Sequence, residues 1–366
     1  MPSMQAILFY GPGDARLVET PIPRPGPGEL LLRIGAALTC GTDLKSYRRG
    51  HPRIFTSLPS PFGHEFAGVV TELGEGVNRF AVGQRVVAAN SAPCGECVFC
   101  WEGRESLCER LEFLNGAYAE YIVLPERIVR RNTYVIPDHL SFAEAALVEP
   151  LACVLHGLDV LDLQLGDTAS VLGCGPIGLL FVNALTLRGL WVIASDRHES
   201  RLTAARHVGA IATVNAADSG VDEQVAAVRA LTPGERGAPV VIEAVGRTET
   251  WVAATRMARR GGQALLFGGA KAGTTLAVDA TALHYDELTV KGVFHHTPRH
   301  IHHALYLIAS GAIIARDYLT ENRPLAETIA ALEDNGARRG IKTVILPPGA
   351  EPAPLGALAG EVEKDR

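Results

Sequence analysis

Residues Ser170 to Gly178 read Ser-Val-Leu-Gly-Cys-Gly-Pro-Ile-Gly, an apolar run that breaks into glycines spaced G-x-G-x-x-G and then continues as a helical pattern. A strand that turns this sharply into a helix belongs in a parallel sheet. Gly173 permits the tight turn, Gly175 lets backbone approach a ligand, and Gly178 lets helix and strand pack closely. The helix start adds N–H groups and the positive end of its dipole, which together suit a pyrophosphate. Asp196 lies eighteen residues past Gly178 at the end of the next apolar run, where a carboxylate would meet a ribose 2′-hydroxyl and repel a 2′-phosphate. The expectation is a dinucleotide site made by Gly173, Gly175, Pro176, Ile177, Gly178 and Asp196, with NAD favoured over NADP. Arg197 and Arg201 stand close enough in sequence to accommodate the extra phosphate.

The surrounding texture fits. Apolar runs at 169–172, 191–195, 240–244, 264–267 and 288–293 alternate with helical patterns at 177–187, 201–207, 221–231 and 248–257. That alternation predicts a doubly wound parallel sheet over residues 151–295. Residues 1–150 differ. They are rich in Gly and Pro, carry short β-type runs at 29–34, 68–72, 84–88 and 119–123, and show no long helical pattern. The expected fold is therefore α/β, a mostly-β domain followed by a doubly wound one. Residues 296–346 hold one helix (301–309) and a last strand (342–346) that returns to the first domain, and 347–366 form a flexible tail.

At 366 residues, two domains are the natural division. A hydrophobic share of 47% excludes a chain disordered throughout, and a net charge of −6 supplies no drive toward nucleic acid or anionic lipid. The longest apolar stretch, 171–187, is broken by glycines, a proline and an asparagine, so no membrane span is expected. The first ten residues lack a basic, then apolar, leader pattern, and a cytoplasmic location is expected.

Seven cysteines are too irregular a set for a secreted disulfide framework, and four fall together: Cys94, Cys97, Cys100 and Cys108. Their C-x2-C-x2-C-x7-C spacing suits a closed, tetrahedral structural zinc. An iron–sulfur motif would continue with a three-residue gap and Cys-Pro, whereas here the gap is seven and Glu109 follows Cys108. Cys40-Gly41-Thr42-Asp43, Gly63-His64-Glu65 and Glu149-Pro150 carry further ligand types. Taken singly, each reads as structural.

Taken together and in order, these segments resemble the zinc-dependent medium-chain alcohol, polyol and threonine dehydrogenases. The resemblance runs over nearly the whole chain and includes Pro25-Gly26-Pro27-Gly28-Glu29, Glu243-Ala244-Val245-Gly246 and Phe267-Gly268-Gly269. It implies a GroES-like catalytic domain, a Rossmann NAD-binding domain and an active site in the cleft between them. It also implies two zinc ions per chain, the second a catalytic one held by Cys40 and His64, with Glu65 a ligand and Glu149 binding directly or through water. Thr42 would pass the alcohol's proton toward the cofactor ribose and solvent.

Two departures bear on the substrate. Lys45 stands where many members carry a relay histidine; it could shuttle protons, bind an anionic substrate group, or simply be solvated. Phe294-His295-His296 replaces a Phe-Arg-Tyr common in the polyol branch. His295 and His296, with Tyr47, are expected at the substrate pocket, and five of the twelve histidines between His295 and His303 raise the idea of a third metal site. The expected substrate is a secondary alcohol of polyol, sugar-like or amino-alcohol type, with a threonine 3-dehydrogenase or a non-catalytic NAD-binding redox sensor as alternatives. The resemblance also implies a homodimer or homotetramer. Cys153 and Cys174 remain as bystanders.

Overall fold

A computed structural model describes residues 2–51, 55 and 57–362. It divides into two compact units, one running to Ala152 and resuming at His296, the other Cys153–His295.

The first unit is built on a seven-stranded sheet. Its path runs Thr133–Val135, Arg85–Ala88, Phe66–Leu73, Leu30–Leu38, Lys342–Leu346 and Leu319–Pro324, with Tyr121–Leu124 also paired to Leu30–Leu38. The last strand therefore reaches back to the first domain, Val344 opposite Leu38 and Ile345 opposite Ala37. Alternation in Leu30–Leu38 sends Leu30, Leu32 and Ile34 into a core with Phe9, Phe62, Phe66 and Tyr118. A hairpin of Ser3–Gly11 and Asp14–Pro21 covers one side of that core.

The sequence reading missed a helix here. Gly41–Arg49 is helical because Cys40 caps it, Asp43 sits in its first turn, Arg48 and Arg49 in its last, and Gly50 at φ +74° ends it. Only Asp43, Leu44 and Ser46 are buried, so no apolar stripe announced it. The segment after the last strand makes contacts of its own. Asn322 pairs with both backbone groups of Ala353, at 2.9 and 3.0 Å, and Leu358 is buried. A short helix, Ala359–Val362, follows.

The second unit is a six-stranded, all-parallel sheet. Its order is Ala212–Asn215, Trp191–Asp196, Thr168–Leu172, Ala238–Glu243, Ala258–Leu266, Thr289–Gly292. The order reverses between the third and fourth of these, which opens a crevice at their carboxyl ends beside the glycine turn. Ala212–Asn215 was not expected as a strand; it is four residues long, lies at the sheet edge and buries only Val214. Among the described residues, no helix is long and apolar enough to cross a membrane.

Candidate active site and metal centres

Three sites take shape, two in the first unit and one in the second. Cys40 ends the Leu30–Leu38 strand and starts the Gly41–Arg49 helix, with its Sγ taking the Thr42 N–H at 3.4 Å. His64 and Glu65 arrive on the loop entering Phe66–Leu73. Gly63 precedes them at φ +86°, and a Cβ there would lie 2.6 Å from the Tyr118 ring. The ligand atoms of Cys40, His64 and Glu65 lie within 4.8 Å of one another.

Around them is a buried polar shell. His64 Nδ1 is 2.8 Å from Asp43 Oδ1, and the Tyr118 hydroxyl donates to Asp43 Oδ2 at 2.7 Å. Burial opposes charge on His64, but Asp43 and Cys40 outweigh it and hold the imidazole well above its ordinary value. Glu65, fully buried, is gripped through both oxygens by Lys342 Nζ, which also donates to Thr39 O at 2.9 Å. Burial opposes the Lys342 charge too, and Glu65 and Cys40 more than restore it. Glu149 opens the Val148–Asp159 helix; burial pushes it up to about 7, against the pull of His64. His296 Nε2 lies 2.9 Å from Asn90 Oδ1 and 3.9 Å from Glu149 Oε1.

The remaining expected residues fall less tightly. Thr42 and Lys45 are exposed on the Gly41–Arg49 helix. Tyr47 donates its hydroxyl to Gly13 O at 3.1 Å, at the turn of the N-terminal hairpin, and packs partly on the core. His295 is left-handed at φ +62°, and its carbonyl accepts His156 Nδ1 at 2.8 Å. His296, His300, His302 and His303 join no three-ligand cluster among the described residues. His300 bonds Thr297 and His302 rests on Tyr134.

The four-cysteine lobe is local. All four sulfurs lie within 4.8 Å, Cys97 to Cys100 at 3.5 Å and Cys94 to Cys100 at 4.0 Å. Zinc–sulfur bonds of about 2.3 Å at tetrahedral angles place sulfurs about 3.8 Å apart, so the donor set fits. Backbone N–H groups of Cys94, Gly95 and Arg110 point at the sulfurs of Cys108, Cys100 and Cys108. The Glu96 backbone N–H lowers Cys94 to about 6, while burial pushes Cys100 up to about 12. None of the seven cysteines is in a disulfide.

In the second unit, the glycine turn shows why each glycine is there. Gly173 is at φ +91°, and a Cβ on Gly178 would overlap Gly173 O. Gly175 has neither constraint: its φ is −68°, and a Cβ would meet nothing within 4 Å. The fold does not need glycine at that position, whereas a pyrophosphate approaching the helix start does. Asp196 accepts Cys174 N at 2.8 Å and His198 N at 3.0 Å. Arg201 is buried with Nη1 3.4 Å from Cys174 O, and Arg197 reaches Ala217 O at 3.1 Å.

The chain is similar to known proteins over nearly its whole length. Residues 26–137 match the alcohol dehydrogenase GroES-like domain, and 176–310 the zinc-binding dehydrogenase family. The erythritol/L-threitol dehydrogenase of Mycolicibacterium smegmatis is 34% identical over 365 residues, covering 94% of this chain and 98% of that one. The L-threonine 3-dehydrogenase of Bacillus subtilis is 33% identical over 350 residues, covering 92% and 96%. A structure from Sinorhizobium meliloti 1021, described as a zinc-binding dehydrogenase bound to NADP, superposes with a TM-score of 0.86 at 33% identity, covering 95% and 100%. The chain belongs to the zinc-dependent medium-chain dehydrogenase family. This medium-chain dehydrogenase is a zinc-dependent alcohol oxidoreductase, with a GroES-like domain and a Rossmann domain, and it uses zinc and a nicotinamide dinucleotide.

Residues that sequence reasoning missed complete the picture. Asp43 lies in the Cys40-Gly41-Thr42-Asp43 motif, in the first turn of the helix that Cys40 caps, and a carboxylate so close to a candidate ligand was a usable signal. Lys342, a charge opening an otherwise apolar strand, was another. Glu243 holds Val245 N, Gly246 N and the Thr250 hydroxyl on one carboxylate oxygen, which seats Val245 against Gly173. Tyr118 gave no local signal at all.

Proposed function

We propose that this dehydrogenase oxidises a secondary alcohol of polyol or sugar-like type with NAD, using Cys40, His64 and Glu65 as the protein ligands of its catalytic zinc. The convergence of those three donors within 4.8 Å carries the reading. Three protein ligands leave the open position a catalytic zinc requires. Zinc held there supplies the Lewis acidity that lowers the pKa of an alcohol. The nicotinamide supplies the hydride acceptor.

The chain's own residues do the rest. The Nδ1 contact with Asp43 leaves His64 Nε2 as the ligating nitrogen. Lys342 gives Glu65 its counter-charge, so that the site is not a concentration of anions alone. Glu149, poised near 7, can hold or release a proton and is suited to binding through water. Thr42 lies two residues past Cys40 and is exposed, so its hydroxyl can accept a hydrogen bond from the alcohol while passing its own proton on to solvent. Cys94, Cys97, Cys100 and Cys108 hold the second, structural zinc. Asp196 selects NAD by its charge, with Arg201 committed to Cys174 O rather than turned outward. Lys45 and His296 are the residues we assign to substrate selection.

The 34% identity to an erythritol/L-threitol dehydrogenase supports a polyol, and the 33% identity to an L-threonine 3-dehydrogenase supports an amino alcohol as the second reading. Seven cysteines outside any disulfide, five of them assigned to zinc, support a reducing, cytoplasmic setting. The edge strand Thr289–Gly292 supports pairing into a homodimer or homotetramer.

The experiment is NAD reduction across a polyol and amino-alcohol panel, with Cys40→Ser beside it. The variant should lose about a thousandfold in kcat/KM, since the metal contributes several kcal/mol to the barrier. It should also retain one zinc of two. Undiminished turnover would sink the ligand assignment. Activity confined to threonine would decide for the second reading, and inertness of the unmodified enzyme toward the whole panel would favour a redox sensor.

A further inference from the structure

Among the buried polar groups that packing alone does not explain, Tyr118 is the clearest. Its ring is fully buried, edge-on to Phe62 at 5.5 Å between centroids, and Gly63 lacks the side chain that would collide with it. A phenylalanine would fill that space equally well. The hydroxyl therefore needs its own reason, because a buried O–H without an acceptor is costly.

Its acceptors are Asp43 Oδ2 at 2.7 Å and Leu38 O at 3.1 Å. Asp43 is itself buried, and its other oxygen faces His64 Nδ1 at 2.8 Å. Each carboxylate oxygen thus has one side-chain partner, His64 on one and Tyr118 on the other. A carboxylate held at a single oxygen can pivot about its Cβ–Cγ bond and carry the imidazole with it. Held at both, it cannot.

We propose that Tyr118 is a positioning residue for the catalytic zinc, the outer member of a chain Tyr118–Asp43–His64 that fixes the plane of the His64 ring. The proposal rests on the reading that His64 ligates zinc. Tyr118 comes from the strand approach 75 residues beyond Asp43, so it also ties the metal loop to a second part of the sheet. Partners of a ligating histidine typically contribute 10–100-fold to metal affinity. A group one bond further out should contribute less, about three- to tenfold.

The test compares the two zinc sites within each protein, by competition against a chromophoric chelator and by the visible spectrum after cobalt substitution. Tyr118→Phe should weaken the Cys40-site metal about three- to tenfold and shift its cobalt bands. The four-cysteine site should be unchanged. Asp43→Asn should do the same more strongly, about 10–100-fold. A Tyr118→Phe protein with a lower melting temperature but unaltered zinc affinity and cobalt spectrum would overturn the proposal, leaving the hydroxyl a folding group only. Cys40→Ser separates the two levels of inference. If it still binds two zinc ions, the ligand assignment fails and the positioning role falls with it. If it loses one while Tyr118→Phe leaves that one's affinity intact, only the role of Tyr118 fails.

Discussion

The two metal sites of the first unit are opposites in construction. The four-cysteine lobe draws all its donors from Cys94 to Cys108, fifteen residues of chain, and supports them with N–H groups of Cys94, Gly95 and, two residues beyond the stretch, Arg110. The Cys40 site draws on residues 39 to 65, 118, 149 and 342, and mixes a thiol, an imidazole, carboxylates and an ammonium. A closed set of like ligands needs only its own loop. An open, mixed set needs neighbours to compensate each charge, and those neighbours come from elements that only the complete fold brings together. The first site should behave as a local staple, and the second as a reporter of the whole domain.

Lys342→Met is the strongest way to break that contrast. Lys342 and Glu65 are both buried, and removing one member of such a pair typically costs about 3–5 kcal/mol. The loss should be larger in the zinc-free protein than in the zinc-loaded one, because the metal supplies part of the missing positive charge. Urea unfolding with and without chelator measures both, and Glu65→Gln added to Lys342→Met should recover much of the difference. Equal losses in the two states would mean that Lys342 acts on the sheet and not on the site.

Cys100→Ser probes the other side. By analogy with a covalent link, a zinc that joins the ends of a fifteen-residue loop contributes about 3 kcal/mol through lost loop entropy. The variant should lose one zinc, melt lower and be cut by protease near Trp101, which is 77% exposed. Zinc at the Cys40 site and kcat/KM of the folded fraction should stay near those of the parent. A fall in the affinity of the Cys40 site would show that the lobe is not a local device.

The same contrast explains what the sequence made legible. The lobe and the glycine turn are short-range objects, so spacing alone announced them, and the parallel sheet followed from strand–helix alternation. Cys40, His64 and Glu65 were visible only because their motifs occurred in a known order. Their supports were not visible. Tyr118 and Asp43 are 75 residues apart, Lys342 and Glu65 277 apart, and no local pattern encodes which strand will lie beside which. The Gly41–Arg49 helix escaped because capping, not an apolar stripe, defines it. The pairing of Ala353 with Asn322 escaped because a Pro- and Gly-rich composition says nothing of a partner 31 residues away.

Asp334→Asn is the finest cut. Asp334 sits on the Thr328–Gly336 helix and accepts Arg323 Nη2 at 2.6 Å and the Arg339 guanidinium. The next residue, Asn335, donates to Thr39 Oγ1, one residue before Cys40, and Leu44 packs on Gly336. Partial burial opposes the Asp334 charge, but the hydrogen bonds from Arg339 and Arg323 overcome it and hold the carboxyl below its ordinary 3.8. A depressed pKa means that the native state binds fewer protons than the unfolded one near that value. The stability it lends is therefore complete above pH 3.8 and is lost as the pH falls through the native pKa. Arg339 is half exposed, so the contribution is about 0.5–1 kcal/mol and shrinks with added salt. The variant should melt slightly lower at neutral pH and show a flatter acid limb. Any change in zinc affinity should appear at the Cys40 site alone, because the helix that Asp334 anchors leans on Thr39 and Leu44. Equal weakening of both zinc sites would show that the two are coupled through the sheet after all.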